Sequence, residues 1–318
     1  MVWSMKKVSL GKTDLKVTRI AYGCWRLAGT WNKNEVSPAA IENGRKAVKT
    51  ALDSGITFFD HADIYCDGVA ESIFGGFLKE NPGIRPQIQI ATKCGIRWAG
   101  DPEPSAPHRY DFSARHIIWS CEQSLKRLQT DYLDLYQLHR PDVLCDPHEV
   151  AEAFVKLKES GKVLHFGVSN FKPSQVEMLQ AWCSFPIVVN QVEISLMHLD
   201  CFYDGTLDQC IARQITPLAW SPLAGGLLGT GFSPAPITKN CGDILRVHRM
   251  LDNIASKYGT TRTVIALAWL MKHPSGIVPI IGSTNPDRIH ESIKADDVEL
   301  TREDWYNLFL AARGEKLP

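Results

Sequence analysis

The chain has 318 residues, which is enough for one large domain or two ordinary ones. Lysine plus arginine equals aspartate plus glutamate at 35 each, so no net charge favours binding to nucleic acid or to an anionic membrane. The nine cysteines are odd in number and lack a Cys-x-x-Cys spacing, which argues against a disulfide framework or a zinc cage and is typical of a reducing compartment.

The amino-terminal residues hold no apolar stretch long enough for a signal peptide. No run approaches the roughly 20 apolar residues that span a bilayer. We therefore expect a cytoplasmic protein with a small-molecule substrate and with no nucleic-acid or membrane partner. The sequence does not indicate an oligomeric state.

Eight short apolar runs recur along the chain. They cover residues 19–25, 57–60, 88–92, 133–138, 164–168, 187–189, 216–220 and 277–281. Runs without alternation are typical of parallel strands buried on both faces, and each run is followed by loop and helix-like sequence. Eight such units predict a closed (β/α)8 TIM barrel. Because the repeat is even and has no linker, we expect one domain over residues 1–318.

The segments between the strands predict the remaining elements. Two apolar–polar alternations around a glycine-containing turn at 8–17 indicate a hairpin that closes the amino-terminal end of the barrel. Apolar periodicity with start and stop residues predicts helices at 38–54, 113–129, 147–160, 173–182, 204–214, 243–258, 261–273, 286–295 and 301–312. The barrel would therefore carry extra helices after strands seven and eight.

Two loops are long. Residues 94–112 contain three prolines and two glycines and predict neither helix nor strand. Because long irregular loops in compact domains are usually functional, we expect this one to form a wall of the substrate site. The Gly- and Pro-rich residues 222–236 predict a mobile flap.

Ionisable side chains follow the second, third and fourth strands, whose ends meet in a barrel. They are Asp60, Tyr65, Lys93 and His139. A tyrosine titrates near pH ~10, an ammonium nearby lowers its pKa, and a carboxylate keeps that ammonium charged. A neutral histidine can donate a hydrogen bond to a carbonyl oxygen. This set can deliver a proton to an oxygen, and the carbon then needs a hydride, which implies a nicotinamide.

Six ordered blocks lie at the strand ends. They read FDHADIY at 59–65, ATK at 91–93, LHRPD at 138–142, GVSNF at 167–171, NQVE at 190–193 and AWSPL at 219–223. Together they resemble the aldo-keto reductases over nearly the whole chain. The resemblance implies reduction of an aldehyde or ketone with NADPH. It also implies that Tyr65 is the general acid, that Lys93 and Asp60 tune it, and that His139 orients the substrate oxygen.

The same resemblance implies a cofactor site. The nicotinamide carboxamide would bind Ser169, Asn170 and Gln191, and its ring would stack on Trp220. Ser221 and Leu223 would contact the pyrophosphate. Ser283 and Arg288 would bind the 2′-phosphate, with Glu291 near the adenine. No Gly-x-Gly-x-x-Gly follows any strand, so a Rossmann cofactor domain is not supported.

Some positions depart from the family pattern. Gly282 stands where many members carry a lysine for the 2′-phosphate, which leaves NADH possible as the cofactor. His61 replaces a threonine or serine and adds a titratable ring near the site, with a core position as the alternative. We expect Trp25, Trp98 and His61 around the substrate, although either tryptophan could be plain packing.

Two other functions are open on the sequence. One is a cofactor-binding regulatory or partner subunit with little turnover, which a contiguous exposed apolar patch would favour. The other is an aldolase on the same fold, with Lys93 as the amine that forms a Schiff base.

Overall fold

The computed structural model describes residues 5–232 and 241–317. Its strands are β1 (Lys7–Ser9), β2 (Lys16–Thr18), β3 (Ala21–Gly23), β4 (Phe58–Asp60), β5 (Gln89–Cys94), β6 (Ile96–Arg97), β7 (Arg109–Tyr110), β8 (Leu133–Leu138), β9 (Val163–Ser169), β10 (Ile187–Glu193), β11 (Thr216–Trp220) and β12 (Val278–Ile281). Strands β3, β4, β5, β8, β9, β10, β11 and β12 form a closed barrel of parallel neighbours. The predicted (β/α)8 fold is confirmed.

Helices pack around the barrel. They are α1 (Pro38–Asp53), α2 (Val69–Glu80), α3 (Ala114–Leu128), α4 (Pro147–Glu159), α5 (Pro173–Gln180), α6 (Thr206–Arg213), α7 (Cys241–Lys257), α8 (Arg262–Met271), α9 (Pro286–Ile293) and α10 (Arg302–Arg313). Capping determines where several begin: Ser37 and Ser113 accept hydrogen bonds from backbone N–H groups in the first turns of α1 and α3. Helix α2 was not placed individually from the sequence.

The hairpin β1–β2 closes the amino-terminal end of the barrel, as predicted. Its residues Leu10 and Val17 are fully buried and join the interior cluster formed by Phe58 and other strand residues. The N–H of Gly11 donates to Oγ1 of Thr216 over 2.9 Å, which fixes the hairpin to the start of β11. Because this end is plugged, a substrate can enter only at the carboxyl ends of the strands.

The prediction that residues 94–112 contain no strand is wrong. Strands β6 and β7 form a two-stranded antiparallel ribbon in this segment. Arg97 stabilises it by ion pairs to Asp101 at 2.9 Å and to Asp111 at 3.0 Å. Strands of two residues are too short to produce a periodic pattern, so the sequence could not reveal them.

The predicted flap lies partly outside the described residues, which end at 232 and resume at 241. Its described part follows β11 and contains a short 3-10 turn over Ala224–Gly226. Among the described residues, no helix is long and apolar enough to cross a membrane. Every described cysteine is free.

Candidate active site

Asp60 and Lys93 form a buried ion pair at the carboxyl ends of β4 and β5. The Lys93 ammonium donates to both Asp60 carboxylate oxygens over 2.8 Å and to the His61 carbonyl over 2.6 Å. These three acceptors use all three ammonium donors, which favours the charged amine. Burial lowers the pKa of Lys93, and the Asp60 carboxylate opposes that effect. Gln191 also donates to Asp60 over 2.8 Å, so the carboxylate is held on both sides.

Tyr65 lies above this pair. The Lys93 nitrogen is 5.2 Å from the centroid of its ring, and the His139 ring is 6.1 Å away in an edge-on arrangement. Burial outweighs the expected effect of the Lys93 ammonium on this phenol. Burial and then the Asp60 charge raise the pKa of Tyr65 well above its usual value. Because burial disfavours the phenolate, the phenol stays protonated and is a proton donor.

His139 is a neutral imidazole at the end of β8. Burial, assisted by the charges of Lys93 and Arg140, lowers its pKa well below the usual value. Its Nδ1 is buried and has no hydrogen-bond partner among residues 5–232 and 241–317. Nε2 is therefore the ring nitrogen left to contact a ligand.

The predicted nicotinamide residues form one hydrogen-bonded cluster at the ends of β9, β10 and β11. Ser169 Oγ donates to the Gln191 carbonyl over 2.8 Å, and the Asn170 amide donates to Ser169 Oγ over 2.8 Å. The Trp220 indole N–H donates to Asn170 Oδ1 over 3.0 Å. Asn170 has a left-handed backbone, with φ at 61°, which its short polar side chain tolerates.

The other predicted cofactor residues line a cavity of about 290 Å³ beside β12. Ser221, Leu223, Ser283, Arg288 and Glu291 all contribute to its wall. The amino terminus of α9 lies in the same region and is capped by Asn285, which accepts from the N–H groups of Asp287 and Arg288. A guanidinium, a serine hydroxyl and the positive end of a helix dipole suit a phosphate.

Trp25 lines this cavity as well, and its ring lies 5.8 Å from that of Trp31, so its expected place at the substrate stays a prediction. A Cβ atom on Gly282 would lie 2.6 Å from the Trp25 indole nitrogen. The absence of a side chain at Gly282 therefore lets Trp25 pack against β12. Arg26 follows in the same cavity wall, with its guanidinium carbon 4.3 Å from the centroid of the Trp25 ring.

The His61 ring does not face Tyr65. The His61 ring is fully buried and packs 4.6 Å from the Phe74 ring of α2, so it cannot contact a substrate. Burial lowers the pKa of His61 to about 3. Trp98 packs on His108 of the β6–β7 ribbon and is 44% exposed. The expected substrate contact of His61 is not supported, and that of Trp98 stays a prediction.

Two residues that the sequence reasoning missed lie near Tyr65 or His139. Trp31 is 53% exposed, and its ring is 6.1 Å from that of Tyr65. Arg140 follows His139, and its guanidinium carbon lies 5.4 Å from the centroid of the Trp220 ring. The position of Arg140 directly after His139 was a usable signal, whereas Trp31 belongs to no motif.

A family model described as "Aldo/keto reductase family" matches residues 19–308. The chain belongs to the aldo-keto reductases. Members of this oxidoreductase family generally use NAD(P)H.

Similar proteins cover this aldo-keto reductase almost completely. The oxidoreductase YcsN of Bacillus subtilis is 40% identical, over 99% of this chain and 100% of its own. A 6-dehydroglucose reductase of Novosphingobium aromaticivorans is 42% identical, over 97% and 96%. The crystal structure of the thermostable aldo-keto reductase Tm1743, with the inhibitor epalrestat, superposes with a TM-score of 0.82 at 27% identity, over 96% and 100%.

Proposed function

We propose that this protein reduces an aldehyde or ketone to an alcohol with NADPH, and that Tyr65 gives the proton. The observation that carries the proposal is the arrangement of Tyr65 above a buried Lys93–Asp60 pair and beside a neutral His139. A protonated phenol and a neutral imidazole can both donate to one carbonyl oxygen. Reduction is therefore the reaction that these groups can serve.

Each protein group has a separate task. Tyr65 transfers its proton to the carbonyl oxygen, and His139 orients that oxygen through Nε2. The Lys93 ammonium stabilises the phenolate that remains, while Asp60 and Gln191 hold the ammonium in place. Because Lys93 is already bonded to three acceptors, it has no lone pair for a Schiff base, which speaks against the aldolase reading.

The residues of the site fit NADPH. Ser169, Asn170 and Gln191 would hold the carboxamide and Trp220 the ring, and the bound cofactor would supply the hydride. Ser221 and Leu223 would contact the pyrophosphate, with Arg288 and Ser283 at the 2′-phosphate and Glu291 at the adenine. The cavity with an exposed Arg288 guanidinium supports NADPH over NADH.

The substrate class is small carbonyl compounds. The relative named 6-dehydroglucose reductase acts on a sugar carbonyl, and its 42% identity over nearly the whole chain supports this class. We also propose that residues 1–318 work as one domain in the cytoplasm, which is consistent with the free state of every described cysteine.

The decisive experiment is titration of the protein with NADPH and with NADH, followed by tryptophan fluorescence. Trp220 would lie against the nicotinamide, so binding should quench its emission, and Trp220→Phe should remove most of that signal. Tight NADPH binding, weaker NADH binding and oxidation of NADPH by a panel of aldehydes would support the proposal. If neither NADPH nor NADH binds, the proposal is overturned.

A further inference from the structure

Arg140 lies at the mouth of the candidate site and is held there by its neighbours. Its guanidinium carbon is 5.4 Å from the centroid of the Trp220 ring. Trp220 donates to Asn170 over 3.0 Å, and the Asn170 amide donates back to the His139 carbonyl over 3.3 Å. These contacts connect the Arg140 guanidinium, through Trp220 and Asn170, to the His139 backbone. The guanidinium therefore stays on the side of the barrel where His139 acts.

The charge of Arg140 has no counter-ion in the described part of the chain, and its guanidinium donates no hydrogen bond there. The nearest carboxylate along the chain, Asp142, accepts instead from the N–H groups of Phe112 at 3.1 Å and Leu144 at 2.9 Å. Half-buried arginines elsewhere behave differently: Arg97 pairs with Asp111 and Arg127 pairs with Glu71.

An unpaired, half-buried guanidinium has five N–H donors and a strong preference for oxygen acceptors. The other groups of the site leave it without a counter-ion, because the Asp60 carboxylate is bonded to Lys93 and His139 is uncharged. Trp220 and the exposed Trp31 ring add apolar faces on which carbon–hydrogen groups can pack. Guanidinium plus aromatic faces match a short carbon chain that carries oxygens.

We propose that Arg140 binds an oxygen-bearing group of the substrate, so that this enzyme selects hydroxylated or anionic carbonyl compounds over plain alkyl ones. The inference rests on the proposed carbonyl reduction and names its substrate class. Arg140 is a specificity-determining residue in this scheme, whereas Tyr65 and His139 act on the carbonyl oxygen itself.

The test uses two matched pairs of aldehydes: glyceraldehyde with propanal, and 4-oxobutanoate with butanal. In the unsubstituted enzyme, kcat/KM should be higher for the oxygen-bearing member of a pair. Arg140→Met should lower that preference roughly tenfold or more, mainly through KM, because a charge-assisted hydrogen bond is lost. Arg140→Lys should restore part of it. Loss confined to 4-oxobutanoate would indicate an anion site, and loss for glyceraldehyde as well would indicate hydroxyl recognition.

Arg115→Met is the matched control, since Arg115 is exposed on α3 and its loss changes the net charge equally. It should leave both preferences unchanged. Equal losses for both members of each pair in Arg140→Met would overturn the inference. If the unsubstituted enzyme reduces none of the four aldehydes, the proposed reduction fails instead. Binding of 4-oxobutanoate and glyceraldehyde, followed by tryptophan fluorescence, then decides whether Arg140→Met weakens oxygen recognition.

Discussion

At the scale of single residues, the phenol of Tyr65 has the most clearly defined role. Its hydroxyl makes no hydrogen bond within the described residues, so its removal should leave the fold and the cofactor site intact. We predict that Tyr65→Phe lowers kcat by about 10²–10⁴-fold, as expected for loss of a general acid, while the Kd for NADPH changes little. Steady-state kinetics and a fluorescence titration measure the two quantities. Substantial residual turnover would remove Tyr65 from the role of acid.

The protonation states of Tyr65 and His139 predict a pH profile. Burial raises the pKa of Tyr65 well above its usual value and lowers that of His139 well below it. The phenol loses its proton only as pH rises through the raised pKa, and the imidazole gains one only as pH falls through the lowered pKa. Reduction should therefore be flat between about pH 6 and 9. A midpoint inside that range would mean that one of the two assignments is wrong.

Arg288 and Gly282 give a paired prediction on cofactor choice. Arg288→Ala should weaken NADPH binding by about 1–3 kcal/mol and NADH binding hardly at all, because only NADPH offers the 2′-phosphate. Gly282→Lys should weaken NADPH rather than strengthen it, since a Cβ there would lie 2.6 Å from the Trp25 indole nitrogen. Calorimetric titration measures both. Equal losses for the two nucleotides in Arg288→Ala would place the guanidinium elsewhere.

At the scale of elements, the segment after β11 is fastened across the cavity by Thr230. Its hydroxyl donates to Glu291 of α9 over 2.6 Å, and its N–H donates to Thr263 of α8 over 2.8 Å. We predict that Thr230→Val releases NADPH roughly 2- to 10-fold faster, because the bond to α9 is lost. Stopped-flow fluorescence measures the rate. Thr50→Val, which removes a hydroxyl on α1, is the control. Equal rates of NADPH release in the two variants would show that Thr230 does not fasten this segment across the cavity.

At the scale of the whole molecule, neighbouring strands of the barrel pair over unequal lengths. Strands β8 and β9 pair along their length, from Leu133 with Val163 to Leu138 with Val168. Strand β12 pairs with β3 at Ile280 with Ala21 and at Ile281 with Tyr22. The neighbouring ladders are equally short, since β11–β12 and β3–β4 also have two paired positions each. The β12–β3 seam therefore lies in the weaker part of the closed sheet, and β12 forms one wall of the cavity.

This uneven closure predicts a pattern of amide hydrogen exchange. Without cofactor, the amides of β3 and β12 should exchange faster than those of β8 and β9. NADPH should slow exchange at β3 and β12, because Ile280 and Ile281 line the cavity. Mass spectrometry of peptides from the four strands measures the rates. Uniform protection of all four strands by NADPH would contradict a local effect at the seam.

The amino-acid sequence determined the order of the elements. Buried parallel strands leave continuous apolar runs, and helices leave periodic faces with caps, so eight units and most helices could be placed from local pattern alone. Asp60, Tyr65, Lys93 and His139 were predicted as one group, because each stands where a strand ends and those ends meet in a barrel. Family resemblance extended this to the cofactor residues, which the sequence alone could not have assigned.

Tertiary structure decided what depends on packing between distant segments. The ring of His61 turned outward against Phe74, since alternate residues of a strand face opposite sides and Asp60 took the inward position. Trp25 packed against Gly282, more than 250 residues away, and its ring lies 5.8 Å from that of Trp31, which contacts Tyr65. The raised pKa of Tyr65 likewise arises from burial and from the Asp60 carboxylate, and no local pattern contains either quantity.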